Sequence, residues 1–189
     1  MKKILLLLYF VCLAIAAGAQ DNYEPKADPK AVVESGCARF TVLTPQMIRI
    51  QYSKERKFED RATFAVVNRR LPVPSYSKRE DDTFLYISTD ALELRYRKNA
   101  EINAADKNPD ALSITFKLNG RKVVWYPGKD DALNLKGTTR TLDGCIGDSK
   151  RPELENGLLS RAGWSVIDES YSARRGDGSR TFAFDGNVN

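Results

Sequence analysis

The chain has no histidine, and this absence excludes more function classes than any other feature of its composition. Without histidine, neither a Ser-His-Asp triad nor a Cys-His pair can activate a nucleophile. Histidine-based zinc sites are excluded as well, and the three cysteines are too few for a four-thiolate site. Any chemistry must therefore use carboxylates, lysine, tyrosine or a lone thiol, and the sequence predicts no cofactor and no metal.

Several common motifs are also missing. The sequence contains no GxxxxGK[ST] or GxGxxG phosphate loop and no GxSxG nucleophile elbow. Its charge is weakly basic, with 30 Lys and Arg against 25 Asp and Glu, and the basic residues are scattered among acidic ones. Because a nucleic-acid surface needs basic residues gathered on one face, we expect no nucleic-acid partner.

The first 19 residues have the pattern of an export signal. Lys2 and Lys3 precede an apolar run from Ile4 to Ile15, and the small residues of 17–19 predict cleavage before Gln20. The apolar run is shorter than the roughly 20 residues that span a bilayer, so a retained membrane anchor is the less favoured alternative. We therefore expect an exported protein, periplasmic or at the cell surface, with no stable membrane span.

The rest of the chain has the periodicity of a β protein. Residues 20–30 are polar with two prolines, and we assign residues 20–37 to an extended leader. From residue 38 to residue 189, apolar and polar residues alternate in short runs separated by turn residues, and no helical period is maintained. This pattern predicts an all-β sandwich or barrel. Strands are predicted near 40–42, 48–52, 63–67, 84–88, 92–96, 112–118, 123–125, 164–168 and 181–184, with a hairpin turn at Asn119-Gly120.

Three local features each have two interpretations. Arg175-Gly176-Asp177 spells an adhesion tripeptide, but a chance occurrence in a glycine-rich loop is favoured. Asp130-Asp131 could be half of a cation site, although a solvated turn is the better interpretation. Cys37 and Cys145 could form a disulfide in an oxidising compartment, or they could remain two separate buried thiols.

The stretch from Trp125 to Ser170 is the most informative part of the chain. Residues 134–144 form a long polar loop whose Thr, Arg and Asp side chains offer the donors and charged acceptors that hydroxyl-rich ligands need. Loops of this length in a compact domain are usually either functional or disordered. Trp125 and Trp164 lie in strand patterns, so we predict that both pack in the core. These residues alone predict a binding loop on a β-scaffold.

Two motifs in this stretch carry a family resemblance. NLKGTTRTLDG at Asn134–Gly144 and GLLSRAGWSVIDES at Gly157–Ser170 resemble the N-terminal region of family 31 glycoside hydrolases, the α-glucosidases and α-xylosidases. FTVLTPQMIRIQYS at Phe40–Ser53 is similar to the opening strand pair of that family, and the resemblance covers about Ala38 to Ser170. It implies a β-sandwich of galactose-mutarotase-like type, which precedes a catalytic (β/α)8 barrel in the family.

The resemblance also implies candidate site residues. In the family the first motif lines the sugar subsite, so Asp143 becomes the candidate acceptor for a sugar hydroxyl, with Arg140 as its partner in the loop. A structural role is an equal alternative for Asp143, and a salt bridge that holds the loop is the favoured alternative for Arg140. The implied partners are an α-linked oligosaccharide and the missing catalytic barrel of the same polypeptide.

The resemblance implies no catalytic residue in this chain. A retaining glycosidase needs two carboxylates about 5–5.5 Å apart, which in this family lie on barrel strands, and a barrel takes about 250 residues. The chain should therefore be inactive alone, and its sandwich should lack the last strand or strands, which in the family follow Phe184. A stand-alone carbohydrate-binding or interaction module remains the alternative.

Overall fold

The computed structural model describes residues 24–63, 65–137 and 154–170, together with the short strands 174–175 and 182–183. Within these ranges the chain forms ten β-strands, one 3₁₀ turn at Pro29–Ala31 and no α-helix, which confirms the all-β prediction. The predicted export signal, residues 1–19, lies outside these ranges. The strands are β1 Val32–Ser35, β2 Ala38–Thr44, β3 Met47–Tyr52, β4 Ser77–Glu80, β5 Phe84–Ser88, β6 Leu92–Arg97, β7 Leu112–Leu118, β8 Arg121–Trp125, β9 Arg174–Arg175 and β10 Phe182–Ala183.

The first three strands form an antiparallel sheet with β2 in the middle. Phe40 of β2 lies opposite Ile50 of β3, and Val42 lies opposite Ile48, so these apolar side chains share one face of the sheet. The polar residues of β2 face the other side and are covered as well, since Arg39 is only 8% exposed. β2 is therefore buried on both faces along almost its whole length.

The next five strands form a second antiparallel sheet in which each strand pairs with the next along the chain, from β4 to β8. β7 and β8 are joined at Asn119-Gly120, whose φ angles of 51° and 77° lie in the left-handed region that Asn and Gly tolerate. The predicted hairpin is confirmed. β9 and β10 pair antiparallel as a separate two-stranded sheet.

The core lies between the two larger sheets. Phe40 of β2 packs on Tyr96 of β6 with ring centroids 5.2 Å apart, which joins the two sheets directly. The hydroxyl of Tyr96 donates to the carbonyl of Ala100 at 2.7 Å, so its polar end is satisfied. The fold is thus two antiparallel sheets packed in the manner of a β-sandwich. The buried core residues are Val33, Ala38, Phe40, Val42, Leu85, Ile87, Leu94, Tyr96 and Leu112.

Several element boundaries differ from the sequence prediction. β1 lies within 20–37, the range assigned to the leader, and pairs with β2, so the sheet begins before residue 38. The predicted strand 63–67 is wrong, because Thr63 and Val66 instead close a turn in which the Thr63 amide donates to the Val66 carbonyl at 3.1 Å. The predicted strand 164–168 is wrong too, since its residues are not paired with a strand in the described part of the chain.

Candidate binding site at the base of a long loop

The two predicted site residues, Arg140 and Asp143, lie in 138–153, outside the described residues, as does Cys145. The structure does describe both ends of the loop that carries them. Residues 131–137 leave the scaffold after β8, and residues 154–161 return to it. These two segments form the base of the loop, and their contacts determine where the chain between them starts and finishes.

The two segments run antiparallel and are hydrogen bonded to each other. Asn134 and Ser160 form an isolated β-bridge. The Leu135 amide donates to the Leu159 carbonyl at 2.9 Å, and the Gly137 amide donates to the Glu155 carbonyl at 2.7 Å. On the other side of the bridge the Arg161 amide donates to the Leu133 carbonyl at 3.1 Å, so backbone bonds on both sides hold the base of the loop closed.

Asp131 and Asn134 reinforce this base from one face. The Asp131 carboxylate accepts a hydrogen bond from the Ser160 hydroxyl at 2.9 Å and one from the Asn134 amide group at 3.0 Å. The Asn134 side chain also bonds both backbone groups of Gly157, accepting from its amide at 2.8 Å and donating to its carbonyl at 3.0 Å. Each side chain therefore links the outgoing segment to the returning one.

The charge of Asp131 is stabilised by these contacts. Burial by itself raises the pKa of this carboxyl, but the hydrogen bonds from Asn134, Ser160 and the Leu133 amide outweigh it, and the pKa of Asp131 lies below its usual value. Asp131 is 6% exposed, so the predicted solvated turn is wrong for this residue. It holds for the neighbouring Asp130, an exposed residue that pairs with the Lys107 ammonium at 2.8 Å.

Gly157 is required by the close approach of the two segments. A Cβ atom at this position would lie 2.5 Å from the Lys136 carbonyl oxygen, closer than real contacts allow. A glycine is not required at residue 137, because a Cβ atom there would lie 3.5 Å from the Glu155 carbonyl oxygen, an ordinary van der Waals distance. The glycine at 157 in the second motif thus has a steric reason within this structure.

The base of the loop also carries exposed leucines. Leu133 and Leu135 flank Asn134 in the outgoing segment, and Leu159 is hydrogen bonded across from Leu135 in the returning segment. Leu133, Leu135 and Leu159 are 55%, 54% and 70% exposed. We call these three residues the leucine face. Exposed leucines gathered at the base of a loop are typical of a surface that another protein unit covers.

Beyond the base, the returning segment contacts β8 through its own Trp164. Trp164 packs edge-on against Trp125 of β8 with ring centroids 6.4 Å apart, and Trp125 packs against the core. The predicted core role is thus confirmed for Trp125, and Trp164 packs on it from outside any strand. A Cβ atom at Gly163 would lie 2.9 Å from Leu118, so this segment lies tightly against β7.

Glu169 anchors the far end of the returning segment. Its carboxylate bonds to the guanidinium of Arg69 at 3.3 Å and lies 3.5 Å from Arg49 of β3, and it also accepts from the Thr63 hydroxyl. Arg69 is 1% exposed, so its charge depends on this partner. Burial, followed by the nearby Arg69 charge, lowers the pKa of Arg49 to about 10, although Glu169 acts in the opposite direction.

No pattern in the sequence predicts this arginine–glutamate cluster. Its members come from residue 49, residues 63–69 and residue 169, which are remote in the chain and form no motif. One local hint is that Glu169 lies inside the second of the two motifs that carry the resemblance. Arg39 is held similarly on the same side of the sheet by Asp60 at 2.5 Å and by the Gln51 side chain.

The remaining predicted features are only partly described. Cys37 is a half-buried free thiol whose Sγ lies 3.7 Å from the Lys54 carbonyl oxygen. Arg175 belongs to β9, whereas Gly176 and Asp177 of the tripeptide lie outside the described residues. No group of three or more Cys, Asp or Glu residues in the described ranges is placed to hold a metal ion. Within those ranges there is also no helix long and apolar enough to cross a membrane.

Comparison with models of known protein families gave no match, and comparison with curated proteins gave no match either.

Proposed function

We propose that this chain is the N-terminal galactose-mutarotase-like β-sandwich of a secreted, retaining α-glycosidase of family 31, an α-glucosidase or α-xylosidase. In this proposal residues 134–144 reach from the sandwich to the sugar-binding subsite of a barrel in the same polypeptide. Asp143 accepts a sugar hydroxyl, and Arg140 holds the loop beside it. The chain alone is inactive, because both reacting carboxylates belong to the barrel.

The observation that carries the proposal is the closed base of the loop. A loop that presents a carboxylate to a sugar must hold that group in a narrow range of positions, because hydrogen bonds lose strength steeply with distance and angle. Asp131 and Asn134 tie the two ends of the loop together through the contacts at 2.8–3.0 Å described above. Both motifs of the family resemblance meet at this base.

The leucine face supports the part of the proposal in which a catalytic barrel packs on the sandwich. An isolated domain gains nothing from three leucines that are each more than half exposed, whereas a domain packed on a neighbour buries them. The leucine face flanks the ends of the loop, so a barrel that packed there would also receive the loop at its sugar subsite. Both features therefore support a catalytic barrel as the partner.

The sugar contact is tested by titrating the chain with an α-linked gluco-oligosaccharide and following its amide NMR signals. We expect shifts confined to residues 134–144, which Asp143→Asn removes. The matched control is Asp148→Asn, a carboxylate of the same loop outside the family motif, and it should leave the shifts in place. Equal shifts in both variants would contradict the assignment of Asp143.

Assays of hydrolysis and of sugar binding distinguish this proposal from the alternative of a stand-alone binding module. The purified chain should not hydrolyse aryl α-glucosides, and turnover by pure protein would contradict the claim that the reacting carboxylates lie elsewhere. A monomeric, soluble chain that binds the oligosaccharide tightly without any barrel would instead support the module, because a subsite wall alone contributes only part of the binding contacts.

A further inference from the structure

Three donor groups converge on the carboxylate of Glu169. The guanidinium of Arg69 contributes Nη2 at 3.3 Å, and the guanidinium of Arg49 contributes Nε at 3.5 Å. The Thr63 hydroxyl donates to the same carboxylate. The donors belong to β3 and to residues 63–69, whereas the returning segment supplies the carboxylate. Two charged groups and a hydroxyl aimed at one point form the kind of site that binds a carboxylate.

Contacts that do not involve Glu169 hold the Arg69 side chain. Its Nη1 donates to the Arg61 carbonyl at 3.0 Å, and its Nη2 also donates to the Thr63 hydroxyl oxygen at 3.0 Å. Its backbone amide donates to the Glu24 carbonyl at 2.8 Å. These bonds fix both the backbone and the guanidinium of Arg69 independently of the carboxylate.

The other two donors are held in the same way. The Thr63 hydroxyl oxygen accepts from the Val66 amide at 3.1 Å, and the Thr63 amide donates to the Val66 carbonyl at 3.1 Å, so a closed turn positions this hydroxyl. Arg49 belongs to β3, and its Nη1 donates to the Glu59 carbonyl at 2.8 Å. The donors are therefore positioned by the scaffold, and Glu169 contacts them as a bound ligand would.

The charges around this point are unequal. Asp60 pairs with Arg39 at 2.5 Å, whereas Arg49 and Arg69 share Glu169. The side chains of Arg49 and Arg69 are 12% and 1% exposed, so water screens neither charge well. Burial, followed by the Arg69 charge, lowers the pKa of Arg49 to about 10. Loss of the carboxylate would leave two buried guanidiniums without it, which strongly favours binding of another anion of that size.

The site is open to solvent on one side. Arg49, Arg69 and Glu169 lie on the wall of an open groove that is lined by both larger sheets, by the returning segment and by further charged residues. The Glu169 side chain itself is 16% exposed. A small carboxylate can therefore enter from the groove once the Glu169 side chain is removed.

We propose that Arg49, Thr63 and Arg69 form a carboxylate-binding pocket, and that Glu169 occupies it as a tethered carboxylate that latches the returning segment to the first sheet. Without the Glu169 side chain, the pocket binds a free carboxylate such as formate. In the unaltered chain the tether gives Glu169 a high effective concentration, so free formate does not displace it. The proposal does not depend on sugar binding by the loop.

Chemical rescue of a full-chain variant tests the pocket. In Glu169→Ala, the backbone amides of Thr63 and Arg69 should exchange with solvent at least about tenfold more slowly in sodium formate than in sodium chloride of equal ionic strength, because formate restores the missing negative charge. The matched control Glu169→Gln fills the pocket with a neutral amide of the same shape. Formate should therefore change its exchange rates less than about twofold.

Two results of this experiment would overturn the proposal. One is equal exchange of the Glu169→Ala amides in formate and in chloride, and the other is an equal effect of formate on Glu169→Ala and Glu169→Gln. If Glu169→Ala does not fold in chloride, recovery of its circular dichroism spectrum in formate would support the pocket. Failure to fold in both salts would contradict a pocket that the scaffold assembles without Glu169.

Discussion

Phe40 and Tyr96 pack with their ring centroids 5.2 Å apart and their planes inclined at 60°, and this pair joins the three-stranded sheet to the five-stranded one. Both residues have 0% exposure. Each side chain comes from a strand with paired neighbours on both sides, β2 in one sheet and β6 in the other. The contact therefore lies at the centre of the fold.

Phe40→Ala should lower the free energy of unfolding by about 3–5 kcal/mol, because it removes a fully buried ring and leaves a cavity between the sheets. Urea denaturation followed by tryptophan fluorescence measures the loss. The matched control is Phe84→Ala, a half-buried phenylalanine outside the core cluster, which should cost about 1 kcal/mol. Equal losses would show that the two sheets do not pack through Phe40.

Glu169→Gln should lower the free energy of unfolding by about 3 kcal/mol, because it leaves the buried Arg69 charge without its carboxylate. The matched control Asp168→Asn changes an exposed neighbour of the same charge and should cost less than about 0.5 kcal/mol. Denaturant unfolding measures both. If Glu169→Gln lowered the free energy of unfolding as little as the control does, Glu169 would not anchor the returning segment.

Gly157→Ala should open the base of the loop, because the added methyl group would lie 2.5 Å from the Lys136 carbonyl oxygen. We expect the amides of Leu135 and Gly137 to exchange with solvent about tenfold faster, which corresponds to about 1.4 kcal/mol of lost local stability. Gly137→Ala is the control, because the structure has room for a methyl group at residue 137. Similar exchange rates in the two variants would mean that the close approach at residue 157 does not hold the base.

The lowered pKa of Asp131 predicts a pH dependence of stability. A carboxyl whose folded-state pKa lies below its unfolded value stabilises the fold above the unfolded pKa, near 3.9, and this contribution is lost as the pH falls through the folded pKa. The stability difference between the unaltered chain and Asp131→Asn should therefore be constant above about pH 5 and shrink below about pH 4. Urea midpoints measured across this range provide the test, and a difference that grew on acidification would have the wrong sign.

Leu159→Asp should reduce binding of a hydrophobic dye to the isolated chain, because Leu159 is the most exposed member of the leucine face. The control is Val73→Asp, which changes an exposed apolar residue, 37% exposed, that lies apart from that face. An equal effect of both substitutions would show that the leucine face is an ordinary part of the surface.

The sequence predicted four of the five strands of the second sheet, because alternation and turn chemistry are local. Phe84–Ser88 has the predicted bounds, and Asn119-Gly120 forms the predicted turn. β4 was missed, since its four exposed residues, Ser77–Glu80, have no apolar alternation and become a strand only through pairing with β5. Residues 164–168 alternate like a strand but have no strand partner among the residues that the structure describes. They connect Trp164, which packs on Trp125, to Glu169, which contacts Arg49.

The base of the loop was only partly predictable, because its contacts join residues that are far apart in the sequence. The polar composition of 134–144 indicated a binding loop, but the closure depends on Asp131 and Ser160, which lie 29 positions apart. The Glu169 cluster spans more than 100 positions, from Thr63 and Arg69 to Glu169. Contacts of this range follow from the tertiary fold and have no periodicity that a single sequence can show.

The most direct test of the central proposal is the intact mass of the protein that the native organism makes, detected with an antibody raised against residues 20–189. The account predicts a species more than about twice as heavy as the 21.2 kDa of this chain, because a catalytic barrel of about 250 residues in the same polypeptide receives the loop. A species at or slightly below 21.2 kDa would contradict it, since no barrel would then be attached to the sandwich.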